Sequence, residues 1–125
     1  MLTEVIYENA PEMQVLANIG HRAGLSPLTS AGALYGLSPS AAMPDKPLGE
    51  WNTVRIMTHV GRVEIWCNGL KTADVNCDSK ELKDKIAATN VKQWPTFGKS
   101  RRGHSGLQEH ESPVWYRNSK IRELM

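Results

Sequence analysis

Two short polar groupings in this chain have the spacing of a binding or catalytic site. Glu12 and Gln14 stand two residues apart in Glu12-Met13-Gln14-Val15-Leu16, and Gln108-Glu109-His110 closes a second stretch. Residues two apart on a strand project from one face, so each grouping can present both polar groups to one ligand. The same alternation also suits a plain solvent-facing strand, and composition alone favours that reading. His110 has the chemistry of a general acid/base, because imidazole titrates near neutrality. His21, His59 and His104 read as surface or hydrogen-bonded residues. Trp66, beside Glu64, offers a flat platform for the C–H side of a sugar ring, or it packs under a loop. Arg117 needs a carboxylate or a ligand oxygen if it points inward, and nothing if it points outward. Serine-nucleophile, P-loop, zincin and dinucleotide motifs are all absent.

These groups must be positioned by 125 residues, 40% hydrophobic and 22% charged. That is one domain with a modest core, and it excludes a disordered chain. No apolar run approaches the ~20 residues of a membrane span. Met1 to Gly20 carries Glu4, Glu8 and Glu12 with no basic start, so it does not read as a secretory signal. The net charge of +2 is uneven: residues 1–60 hold three basic and five acidic groups, and residues 61–125 hold twelve and eight. Lys92, Lys99, Arg101 and Arg102 form a basic loop that could meet phosphates. No nucleic-acid reader motif accompanies it, so nucleic acid is not an expected partner. Cys67 and Cys77 are too few for a disulfide scaffold or a zinc site. A bridge between them requires the intervening hairpin to fold back.

Most of the chain reads as short strands between Gly- and Pro-rich turns: Glu12–Leu16, Gly32–Leu37, Trp51–His59, Gly106–Glu109 and Val114–Leu124. The clearest local signal is Arg62–Cys67, Asn68-Gly69, then Leu70–Val75. Asn-Gly between strands specifies a type I′ hairpin, because both central residues need positive φ. In that register Cys67 opposes Leu70, and Trp66 opposes Lys71. Val63, Ile65, Cys67 and Leu70 then share an apolar face; Glu64, Trp66, Lys71 and Ala73 share the other. One helix is predicted over about Ser79–Ala88, with Asp78 as N-cap and Glu81 completing a capping box. Many strands and one short helix predict an antiparallel sandwich.

Six stretches together resemble the 3-keto-disaccharide hydrolase domain family. They are Pro-Glu-Met-Gln-Val-Leu (11–16), Ser-Ala-Gly-Ala-Leu-Tyr (30–35) and Pro-Leu-Gly-Glu-Trp-Asn-Thr-Val-Arg-Ile (47–56). The others are Trp-Cys-Asn-Gly (66–69), Gly-His-Ser-Gly-Leu-Gln-Glu-His (103–110) and Val-Trp-Tyr-Arg-Asn-Ser-Lys-Ile-Arg-Glu-Leu (114–124). The resemblance implies an all-β, concanavalin-like jelly roll with one short helix. It implies a single domain over residues 1–125, shortened by its N-terminal strands. Such a sandwich exposes sheet edges and apolar surface, so a homo-oligomer is expected. Where the family usually has Asp, Ala17 stands. Family members are usually periplasmic or secreted.

The substrates the resemblance implies are glycosides oxidised to a ketone at C3. The ketone acidifies the C2 proton, a base removes it, the C1 substituent leaves, and water adds to the enone. His110 is implied as acid/base, and Glu12 as second base or ligand of a divalent metal such as calcium. Gln14, Trp66, Gln108, Arg117 and Asn118 are expected to bind the sugar. The rival readings are a non-catalytic carbohydrate-binding or structural remnant of the family, and a basic module for an acidic partner.

Overall fold

The computed structural model describes residues 6–89, 97–100, 102–110 and 112–124. Lys92, Arg101, Trp94-Pro95 and Glu111 lie outside them. The described chain is built on one three-stranded antiparallel sheet, β1 (Val54–His59), β2 (Arg62–Cys67) and β3 (Leu70–Asn76), with one helix, α1 (Lys80–Ala88). No helix among the described residues is long and apolar enough to cross a membrane.

The Asn68-Gly69 turn forms as its chemistry demands, with φ of 49° at Asn68 and 82° at Gly69. Cys67 pairs with Leu70 and Trp66 with Lys71. Beyond that point the register shifts between Ile65 and Trp66. Thr72 is the extra residue, and Ile65 pairs with Ala73 rather than with Thr72. The bulge corrects the expected faces. Ala73 turns to the core with Ile65, and Asp74 comes opposite Glu64. Leu70, expected on the apolar face, is 53% exposed at the hairpin tip.

Bringing Asp74 across creates a charge network on the outer face. Arg62 donates from Nε to Asp74 Oδ1 at 2.8 Å and from Nη2 to Oδ2 at 2.6 Å, a bidentate pair. Lys71 Nζ lies 3.0 Å from Asp74 Oδ2 and 3.5 Å from Glu64 Oε1. The hydrogen bonds from Arg62 and then Lys71 hold the Asp74 carboxyl well below its ordinary value of 3.8. A depressed carboxyl contributes stability above its ordinary value and loses it as pH falls through its folded value. Asp74→Asn is therefore expected to melt lower than the parent at neutral pH, with the two converging in acid. Thermal melts across the acid range read this directly.

Thr72, 1% exposed, fixes the layer that covers the inner face. Its hydroxyl donates to Gly32 O at 2.8 Å, and its own carbonyl accepts from Ala41 N at 2.8 Å. Leu34 and Leu37 from that layer pack with Ile65, Ala73, Leu82 and Phe97 in the core, and Met13 packs against them. The expected strands around Met13 and Leu34 do meet, but as an isolated antiparallel bridge. Leu34 also bridges Ser38, and Pro39, which has no N–H to give a ladder, follows directly.

Helix α1 starts one residue later than its sequence signal implied. Ser79, not Asp78, is the N-cap, and its Oγ accepts from Leu82 N at 3.2 Å. Asp78 belongs to the turn before it, where its N–H donates to Asn76 Oδ1 at 2.9 Å. Leu82 faces the core as its spacing implied. The strands expected at 106–109 and 114–124 do not form among the described residues. No backbone ladder joins 112–124 to another described segment, and Leu107, Trp115 and Ile121 are 68%, 74% and 89% exposed. A strand is sustained by a paired neighbour, not by its own alternation.

Cys67 and Cys77 do not form a disulfide. They sit at opposite ends of the hairpin, about 20 Å apart along the strands, far beyond disulfide reach.

Candidate functional site

The bridge at Met13 decides where the first polar grouping points. Tyr35 N donates to Glu12 O at 2.8 Å, Gln14 N to Ala33 O at 3.0 Å and Gly32 N to Gln14 O at 3.0 Å. With Met13 turned to the core, Glu12 and Gln14 face away from it. The second grouping arrives from 102–110, laid along the residues just before Glu12. Gly98 N donates to Asn9 O at 2.8 Å. Gly106 lies so close to Ile6 that a Cβ there would stand 2.7 Å from the Ile6 Cδ1 methyl.

This approach sets Gln108 over Glu12. With its amide nitrogen turned to the carboxylate, Gln108 donates to Glu12 Oε1 at 3.2 Å and Oε2 at 3.3 Å. Tyr116 Oη donates to the Gln108 carbonyl at 2.9 Å, tying the following segment to the same point. Burial pushes the Glu12 carboxyl above its ordinary value of 4.5, and the nearby His110 charge pulls it partly back. Burial, and then the Glu12 charge, push the Tyr116 phenol up. Glu12, Gln108, His110 and Tyr116 therefore form one electrostatic unit. A partly desolvated carboxylate, oriented by an amide and within electrostatic reach of an imidazole, is equipped to take a proton from carbon.

The other expected site residues are distributed differently. Gln14 shares the face of Glu12, but its Nε2 donates to Thr29 O at 2.9 Å and braces the covering layer. Trp66 alternates with the buried Ile65 and Cys67, so it points from the outer face of the sheet, across the core from Glu12. Its Nε1 donates to Glu64 Oε2 at 3.4 Å, and its ring carries Arg55 at 4.7 Å and Lys71 at 5.5 Å. Arg117 lies 4.0 Å over the Trp51 ring, an exposed cation–π pair. Asn118 follows with φ of 55°, a left-handed position that Asn tolerates. Tyr116 was not singled out from the sequence. Its one signal was its place within Val-Trp-Tyr-Arg-Asn, which does not distinguish it from Trp115.

Among the described residues no three His, Cys, Asp or Glu side chains converge to hold a metal ion. Glu12 and His110 are the two side-chain donors of this kind on the unit that Gln108 adjoins.

The sequence matches the model of the 3-keto-alpha-glucoside-1,2-lyase-like domain over residues 2–122. It is 31% identical to the 3-keto-disaccharide hydrolase of Bacteroides thetaiotaomicron, a match covering 97% of this chain and 46% of that protein. Its fold superposes, with a TM-score of 0.68, on the crystal structure of a protein from Parabacteroides distasonis described as a glycosyl hydrolase. That pair is 24% identical and covers 78% of this chain and 47% of the other. The chain thus spans about half the length of the relatives it matches. The fold class is all-β and antiparallel with one short helix, as expected of the concanavalin-like sandwich.

Proposed function

The chain belongs to the 3-keto-alpha-glucoside-1,2-lyase-like domain family, and on that premise we propose that it acts on 3-keto-glycosides by elimination followed by hydration. The observation that carries this reading is the half-buried Glu12 carboxylate facing the Gln108 amide, within electrostatic reach of His110. Glu12 takes the C2 proton that the ketone has acidified. The electron pair left on C2 expels the C1 oxygen, to which His110 delivers a proton. In the second stage His110 takes a proton from water as its oxygen adds to C1 of the enone. Protonated Glu12 then returns its proton to C2, and both groups are restored. The route differs from two-carboxylate glycoside hydrolysis because it needs no oxocarbenium-like transition state.

Gln108 is assigned to orient the Glu12 carboxylate, and Tyr116 to hold Gln108 in place. Arg117 and Asn118, exposed on the segment that carries Tyr116, are assigned to the sugar hydroxyls. No step is routed through a metal.

The test is to incubate the protein with a 3-keto-disaccharide and follow release of the free 3-keto sugar, with and without a chelator. Turnover is expected in both arms. His110→Ala should lower it about 10²-fold or more, the usual scale for a general acid/base. Unchanged turnover in His110→Ala would remove that residue from the mechanism. Loss of turnover with chelator would restore a metal to it. No turnover, but a melting temperature raised by the sugar, would identify a non-catalytic carbohydrate-binding domain.

A further inference from the structure

We propose that the free edge of β1 is a self-complementary interface, through which two copies of this chain join their sheets antiparallel about a two-fold axis centred on Ile56. The two edges of the sheet are treated differently. At β3, Ala41 N reaches over to Thr72 O, so the covering layer caps that edge at its middle. At β1 no backbone hydrogen bond arrives from any other described segment. Asn68 N donates to Thr53 O, which fixes the phase of the ladder. Arg55, Met57 and His59 turn their backbone groups to β2, and Val54, Ile56 and Thr58 turn theirs to the open side.

Arg55 is the one charge on this edge, and the other usual protections are missing. β1 has six residues, with no Pro and no Lys, and the sheet's register shift lies between β2 and β3, not here. On the face it shares with Ile65, β1 overhangs the core: Val54 is 46% exposed and Ile56 is 54% exposed. A two-fold at Ile56 satisfies three conditions together. It brings the backbone groups of Val54, Ile56 and Thr58 against the same groups of the second copy. It places Ile56 beside its own counterpart and Val54 beside Thr58, merging two overhangs into one apolar stripe. It sets Arg55 opposite Met57, so no like charges meet. A two-fold at Met57 fails, because it presents backbone groups already spent on β2 and sets Arg55 opposite His59.

Sedimentation equilibrium on the full chain is expected to give twice the monomer mass. Ile56→Lys should reduce it to one, with an unchanged circular dichroism spectrum. Independently, Ile56→Cys should cross-link to itself under mild oxidation, because facing residues of a hydrogen-bonded antiparallel pair lie about 5.5 Å apart at Cα, within disulfide reach. Met57→Cys, which faces Arg55, should not. Three results would overturn the proposal: a monomeric parent chain, a dimer that survives Ile56→Lys, or Ile56→Cys linking no faster than Met57→Cys and the parent with its Cys67 and Cys77.

Discussion

Glu12→Gln is expected to lower turnover of a 3-keto-disaccharide by about 10²–10⁴-fold, the range typical of losing a positioned general base. The substitution keeps the shape of the side chain and its partner. Gln108 can still meet the new amide oxygen, so substrate affinity should change far less than turnover. That split separates a lost base from a disordered site. The pH profile supplies a second readout. A base acts when deprotonated, so activity falls as pH drops through the Glu12 value. Burial raises that value, and the acid limb should therefore stand above the ordinary 4.5. His110 opposes the shift, so whatever turnover His110→Ala retains should show its acid limb at still higher pH. An acid limb at the ordinary glutamate position in both proteins would count against Glu12 as the base. The stability effect has its own sign. A carboxyl raised by burial favours the folded protein when protonated, and that contribution is lost as pH rises through its folded value. Glu12→Gln should thus be no less stable than the parent at neutral pH, and a thermal melt of the variant separates lost chemistry from lost fold.

Local chemistry explains which parts of the molecule were legible in the sequence. The Asn68-Gly69 turn and the pairings next to it follow from φ preferences at two residues and need no tertiary information. The outward aim of Glu12 and Gln14 follows from alternation around the core residue Met13, whereas the bridge between the Met13 and Leu34 segments does not. The bulge at Thr72 is different. It exists because Thr72 meets Gly32, forty residues earlier in the chain, and no pattern within β3 announces it. The same long-range contact places Asp74 opposite Glu64, so the outer charge network could not be read from β2 and β3 in isolation. Ser79 and Asp78 are both good caps, and only the backbone at Ser79 decides between them. Residues 106–124 read as strands from alternation alone, yet alternation supplies no neighbour. Gln108 nonetheless reaches Glu12, because close approach of Gly106 to Ile6 carries the segment there without a ladder. The missed Tyr116 belongs to the same class: a phenol gains meaning only from the carbonyl it finds.

Gly32→Ala is expected to destabilise the fold by about 2–4 kcal/mol, among the larger single-residue effects. Two costs coincide at this position. Gly32 has φ of 85°, where an L side chain is strained by roughly 1–2 kcal/mol. A Cβ there would also stand 2.8 Å from Thr72 Oγ1 and 3.0 Å from Thr72 Cβ and Cγ2. Thr72 cannot yield, because its hydroxyl is committed to Gly32 O and, at 3.3 Å, to Ile65 O, in surroundings that leave it 1% exposed. Gly36→Ala separates the two costs. Gly36 has φ of 70°, but a Cβ added there would meet nothing within 4 Å, so only the backbone strain should remain. Urea unfolding of both variants measures the difference, and equal losses would mean that the Gly32–Thr72 contact carries no packing cost. The consequence reaches the site because Gly32 N also donates to Gln14 O. Pushing Gly32 off Thr72 shifts the bridge that aims Glu12, so the residual folded protein should lose turnover as well. Gly36→Ala, whose N–H bonds Leu28 O and not the Glu12 segment, should keep it. The contact that makes the bulge and the contact that aims the base are then one structural unit, held by a glycine.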